Sequence, residues 1–191
     1  MTDTKMTKTV GEHWTCAMLA RYGWAPALTR DGIARTDVLA VATHLAERPS
    51  VEIQVKTASA GTGRTSWLLG NASLPAASAH EWFVFVMVPF QKTAPPRGFV
   101  VPRDHVVAAR WIVHQNWLTN EEVPAGQRNT PISRARVNDE VWRAYEDRWD
   151  LLGAPTTDVP VLFPRWLREK AELPRVGLPP GHPWNARLPS W

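Results

Sequence analysis

The sequence predicts an α/β fold, and three observations carry that prediction. A helix-period stretch runs from Val10 to Tyr22. Three short strand-like stretches follow it, joined by short connections. Phe83-Val84-Phe85-Val86-Met87-Val88 is then a nearly continuous apolar run of strand length, the pattern of a central strand covered on both faces.

Residues 1–8 read as a polar, frayed start. Thr9-Val10-Gly11-Glu12 fits a capping box, with Thr9 at the N-cap and Glu12 three residues on. Val10, Trp14, Ala17, Met18 and Tyr22 recur at helical spacing, and Gly23 suits the stop. The first strand is placed at Ala27-Leu28-Thr29-Arg30, with Asp31-Gly32 as a turn signal. The second runs over about residues 36–42, with Asp37 at its entrance. The third is Val51-Glu52-Ile53-Gln54-Val55-Lys56-Thr57. Short links between these strands predict an antiparallel meander.

The third strand alternates strictly. Val51, Ile53, Val55 and Thr57 point one way, and Glu52, Gln54 and Lys56 point the other. A carboxylate, an amide and an ammonium then stand about 6.6 Å apart along one face. Ala58 to Arg64 is a loop of small residues without a Walker pattern. Trp67-Leu68-Leu69 is a short apolar element, and Asn71 to Ala79 offers a helix start before the apolar run. Gly98-Phe99-Val100-Val101 is a further strand, stopped by Pro102. A helix begins at Arg103-Asp104-His105 and continues to Trp117-Leu118. Asn120 to Arg136, with Pro124, Gly126 and Pro131, reads as a long surface loop. Asn138 caps a last helix through Val141, Trp142, Tyr145 and Trp149, ending at Gly153. From Ala154 the chain is rich in Pro and Trp. Residues 154–191 are therefore read as an extended arm, appended to a domain of residues 1–153, that packs on the domain or on a partner.

The chain has 191 residues, 44% hydrophobic and 21% charged, which is the composition of an ordinary globular protein. The net charge is +4, compatible with a polyanionic partner. Between residues 61 and 137 eight basic residues face four acids, so the excess is concentrated there. Cys16 is the only cysteine, which excludes an intrachain disulfide or a cysteine-based zinc cluster. No signal peptide or membrane-length apolar run is seen, so a soluble, cytoplasmic protein is expected. The 11 tryptophans suit core packing, with base stacking as the alternative. The six histidines form no HExxH or paired spacing, and no G-x-S-x-G elbow is present.

One constellation carries chemistry. Hydrolysis of a phosphodiester needs hard oxygen ligands for a divalent cation, and a cationic side chain beside the scissile phosphate. Glu12, Asp37 and Gln54 offer oxygens, and Lys56 offers the ammonium. Glu12 has a competing duty in the capping box, and E-x-Q-x-K is also the pattern of a solvated strand face.

These residues resemble the PD-(D/E)XK nuclease superfamily, in its restriction-type and Holliday-junction-resolvase-like branches with a Q-x-K variant. The likeness rests on Gly11-Glu12 on the first helix, Asp37 at the head of the second strand and Gln54-Val55-Lys56 on the third. It covers roughly residues 9–90. It implies a restriction-endonuclease-like mixed β-sheet with an α-β-β-β-α-β core flanked by helices. It also implies Mg2+-dependent (or Mn2+-dependent) cleavage of DNA. Asp37 would be the principal metal ligand, Glu12 and Gln54 supporting ligands, and Lys56 the catalytic lysine. Thr36 stands where the family has proline, and Gln54 where it has an acid; a slipped site using Glu52 stays open. Arg64, Arg128, Arg134 and Arg136 are the expected contacts to the DNA backbone. The second reading is a non-catalytic module of the same fold that binds nucleic acid or protein, with residues 154–191 docking a partner or a second copy.

Overall fold

In a computed structural model, which describes residues 4–29, 34–61, 63–70, 74–189 and 191, the first helix already spans Thr4–Arg21 (α1). The predicted capping box is therefore not formed. Thr9 lies inside the helix and donates its hydroxyl to the Lys5 carbonyl one turn back, at 3.0 Å. The buried stripe of α1 is Gly11, Thr15 and Leu19, whereas Val10 and Tyr22, expected to be core, are exposed. The reason is close approach. A Cβ on Gly11 would sit 1.9 Å from Thr57 Oγ1, so only glycine lets the helix lie this near the sheet. Gly23, at φ +80°, ends the helix as its position predicts.

The strands are β1 (Trp24–Leu28), β2 (Val38–Ala42), β3 (Ser50–Ser59), β5 (Glu81–Val88) and β6 (Arg97–Pro102), in a sheet of order β1-β2-β3-β5-β6. The first three pair antiparallel, the expected meander, although β1 lies three residues earlier than predicted. Of the predicted first strand, Arg30 lies outside the described residues, as do the Asp31-Gly32 turn, Thr62 and Asn71. β3 pairs parallel with β5, and β5 antiparallel with β6, so the sheet is mixed. β5 is buried along almost its whole length, as its unbroken apolar run predicts.

The parallel pair needs a crossover, and here the structure departs from the expected core. Among the described residues no helix lies between β3 and β5. The chain instead forms β4 (Ser66–Leu68), which pairs with β7 (Arg136–Asn138) in a separate two-stranded sheet. It then returns irregularly. Its amides are satisfied by side chains: Ala77 donates to Glu81 Oε1 and Ala76 to Asp104 Oδ1. After Pro75 the segment carries no large apolar side chain with which a helix could pack on the sheet.

Helix α2 (Arg103–Leu118) follows β6 as predicted. The residue 120–136 segment contains two short 3-10 turns and little else. The predicted helix to Gly153 is broken into α3 (Asp139–Trp142) and 3-10 turns at Arg143–Tyr145 and Trp149–Gly153. Asn138 makes no capping bond there, and a positive φ at Asp147 (53°) interrupts the run. Among the described residues of 154–191 there is one short α-helix, α4 (Arg165–Ala171), and the segment packs on the rest. Val159, Val161, Phe163, Leu167, Ala171 and Val176 are buried in the same hydrophobic cluster as the sheet. The tryptophans chiefly serve packing: Trp67, Trp82, Trp142 and Trp149 are among the most buried side chains, and Trp142 stacks on Phe85 at 4.8 Å. No helix among the described residues is long and apolar enough to cross a membrane.

Candidate active site

β2 stops pairing with β3 at Val38 and Ile53, and the chain turns away. That divergence exposes the next outward amide of β3. Asp37 fills the gap: its amide donates to the Ile53 carbonyl and its Oδ2 accepts from the Val55 amide, both at 2.8 Å. The carboxylate is thereby fixed against the strand that carries Lys56.

Asp37 and Lys56 line one open cleft of about 770 Å³, together with Lys8, Arg64 and Arg136. Lys56 is half-buried, and burial pushes its pKa down. Asp37 opposes that shift, and Lys8 and Arg103 add to it. Arg64 is exposed and pairs with Glu140 at 2.9 Å, and Arg136 donates to Ser66. Both guanidiniums thus stand on the cleft wall with a preset orientation. Arg128 and Arg134 are not among the residues that line the cleft. Arg128 donates to the Leu118 carbonyl, and Arg134 borders a small apolar pocket beside His114 and Trp117.

Glu12 reaches the site through Lys8. Released from capping, it lies mid-helix, one turn after Lys8, whose Nζ is 3.3 Å from Glu12 Oε1 and 3.8 Å from Asp37 Oδ1. Gln54 shares the strand face of Lys56 but is taken up by a buried ionic group. Its Oε1 accepts from Arg103 Nη2 at 3.2 Å. Arg103 in turn pairs with Glu81 at 2.6 Å and lies over the Phe83 ring. Arg35, at φ 74°, also pairs with Glu81, and its carbonyl accepts from Arg103. Burial, reinforced by Arg35, pulls Arg103 down to about 10, which leaves it charged at neutral pH. Glu52, the alternative ligand, accepts from the Thr36 hydroxyl at 3.1 Å.

Lys8, Arg103 and Glu81 are the neighbours that sequence reasoning missed. The Lys8–Glu12 spacing of four was a usable signal. The Arg103–Glu81 pair was not, because it depends on how β5 and α2 meet.

Among the described residues no group of three or more His, Cys, Asp or Glu side chains is placed to hold a metal ion. Two carboxylates do converge on a single cation, Lys8. Mg2+ is content with one or two carboxylates and several waters, so the pair Glu12 and Asp37 fits it. Gln54, with its oxygen committed to Arg103, does not complete the set as placed. No protein-family model, curated protein or solved structure matches this chain.

Proposed function

We propose that this protein is a metal-dependent endonuclease of the PD-(D/E)XK type that hydrolyses DNA phosphodiester bonds. Asp37 and Glu12 would hold Mg2+ or Mn2+, with Gln54 in support. The observation that carries the reading is the meeting of Asp37 and Lys56 in one cleft edged by Lys8, Arg64 and Arg136. A bound divalent ion would supply a lowered pKa for attacking water and charge compensation at the phosphate.

The chain's own residues do the rest. Asp37, fixed by the Val55 amide, holds its carboxylate still. Lys56 presents an ammonium from a rigid strand to the charge that gathers on the phosphate oxygens. Water forms the new P–O bond, the ester P–O bond breaks, and the leaving oxygen takes up a proton. Arg64 and Arg136 hold neighbouring phosphates along the cleft without reading bases. The test is nicking of plasmid or branched DNA with Mg2+ or Mn2+. Activity should vanish in Asp37→Ala and Lys56→Ala while circular dichroism stays unchanged. A wild-type protein that cuts no DNA under these conditions ends the enzymatic reading.

One observation favours a second reading, a nucleic-acid or protein-binding module without catalysis. Gln54 is neutral and held by Arg103, which leaves only two carboxylates. A gel shift of DNA that EDTA leaves intact, without cleavage, selects this alternative. A change in light-scattering mass on removing residues 154–191 would place a partner contact, or a homodimer contact, on that segment.

A further inference from the structure

The ammonium of Lys8 stands where two acids meet. It lies 3.3 Å from Glu12 and 3.8 Å from Asp37, and the same side chain lines the cleft that holds Lys56. Glu12 and Asp37 are largely sheltered, with side chains 18% and 22% exposed, whereas Lys8 is 54% exposed. The acids are therefore the sheltered partners and the cation the exposed one. Asp37 is tied to β3, and Glu12 is delivered by α1, whose position is set by Gly11 against Thr57.

Two carboxylates brought together repel one another unless a cation lies between them. Lys8 supplies a compensating charge to both acids, beside that of Lys56 on Asp37. We propose that Lys8 is a tethered counter-ion that takes the divalent-metal position in the free protein and competes with the metal for Glu12 and Asp37. This rests on the reading of those two acids as metal ligands. Two carboxylates attract a divalent ion more strongly than a partly exposed monovalent ammonium, so the divalent ion displaces it. The displaced ammonium has a place to go, because its stem already borders the cleft. There it faces the phosphate backbone beside Lys56 and Arg136. Metal and phosphate binding then favour the same movement of Lys8, and by linkage each raises the affinity for the other.

The test is Mn2+ binding to the full chain, followed through the spectrum of free Mn2+ by electron paramagnetic resonance. Lys8→Met keeps an unbranched stem and good helix propensity at an exposed position, so folding is preserved. It should bind Mn2+ about fivefold more tightly than wild type, and Lys8→Arg should stay within about twofold of wild type. Asp37→Asn should bind far more weakly than either. If Lys8→Met binds no more tightly than wild type while Asp37→Asn still loses binding, the counter-ion role is overturned and the metal site stands. If wild type and Asp37→Asn bind alike, or neither binds, the metal reading itself falls and the counter-ion role with it.

Discussion

The Val55 amide donates to Asp37 Oδ2 at 2.8 Å, which ties the acid at the mouth of β2 to the strand that presents Lys56. The bond joins a structural and a chemical duty in one carboxylate, and substitutions can separate them. Asp37→Asn keeps an oxygen acceptor for the Val55 amide and should fold at near wild-type stability. Asp37→Ala leaves that amide unpaired and should cost about 1.5–3 kcal/mol, the range for a hydrogen bond to a charged group. Both should lower DNA nicking by about 100-fold or more, as loss of charge stabilisation at a reacting phosphate does. Urea denaturation beside a plasmid assay reads the two duties separately. An active Asp37→Asn would remove Asp37 from the chemistry.

Gly11 sets the distance between α1 and β3. An alanine there would meet Thr57 Oγ1 at 1.9 Å and Thr57 Cβ at 2.9 Å, so the helix must lift or Thr57 must turn. Gly11→Ala should cost about 1–3 kcal/mol, the usual penalty of overpacking, even though alanine has the better helix propensity. Thr57→Ala removes the nearest clashing atom but not the Cβ, so the double variant should recover only part of the loss. Additive losses in the two variants would show that α1 does not rest on Thr57.

The β3 pattern was legible in the sequence because period-two alternation, Val51-Ile53-Val55 against Glu52-Gln54-Lys56, survives as the buried and half-buried faces. β5 was legible for a related reason: an unbroken apolar run has few places to go but a covered strand. The face of α1 was misread because close packing there depends on a residue with no side chain. Gly11 carries no hydrophobic signal, whereas Val10 does and yet is exposed. The crossover between β3 and β5 was misread because its amides find carboxylates from Glu81 and Asp104, which sequence spacing does not reveal. Within the site, Asp37 and Lys56 meet as the strand order implied. The commitment of Gln54 to Arg103 was invisible, since 49 residues separate them. Arg128 and Arg134 were drawn in by charge alone, and they are not among the residues that line the cleft.

The Arg103–Glu81 pair should prove costly to break. Both side chains are buried, and Glu81 also holds Arg35 and the amides of Ala77 and Ser78. Arg103→Met strips one cation from a buried carboxylate and should destabilise by about 3 kcal/mol, the low end for a broken buried pair, because Arg35 remains. Glu81→Gln in the same chain removes the stranded charge and should restore part of that loss. A double variant less stable than the sum of the two single losses would contradict this account. Arg103→Met should also free the Gln54 amide, so Mn2+ affinity in that variant reads whether Gln54 can join Glu12 and Asp37.

Acid should loosen the contact between α2 and the C-terminal segment, and two histidines set the sign. The Tyr145 hydroxyl accepts from the Leu162 amide and pairs with His105 Nδ1, both at 2.8 Å, and burial keeps that imidazole neutral. His182 donates from Nε2 to the Asp104 carbonyl and accepts the Trp184 amide at Nδ1, so it too is neutral. Burial holds the His105 pKa down at about 3, with His182 adding to the effect, and burial likewise lowers His182. An unfolded histidine takes its proton near pH 6.5. Below that pH the unfolded chain binds protons that the folded chain refuses, so stability is full above about 6.5 and falls with falling pH towards 3. From His105 alone the loss should reach about 2 kcal/mol by pH 5. Urea midpoints at pH 7 and pH 5 measure it. His105→Gln should be less stable at pH 7 but should flatten the pH dependence by about that amount. An unchanged slope in that variant would assign the acid sensitivity to other groups.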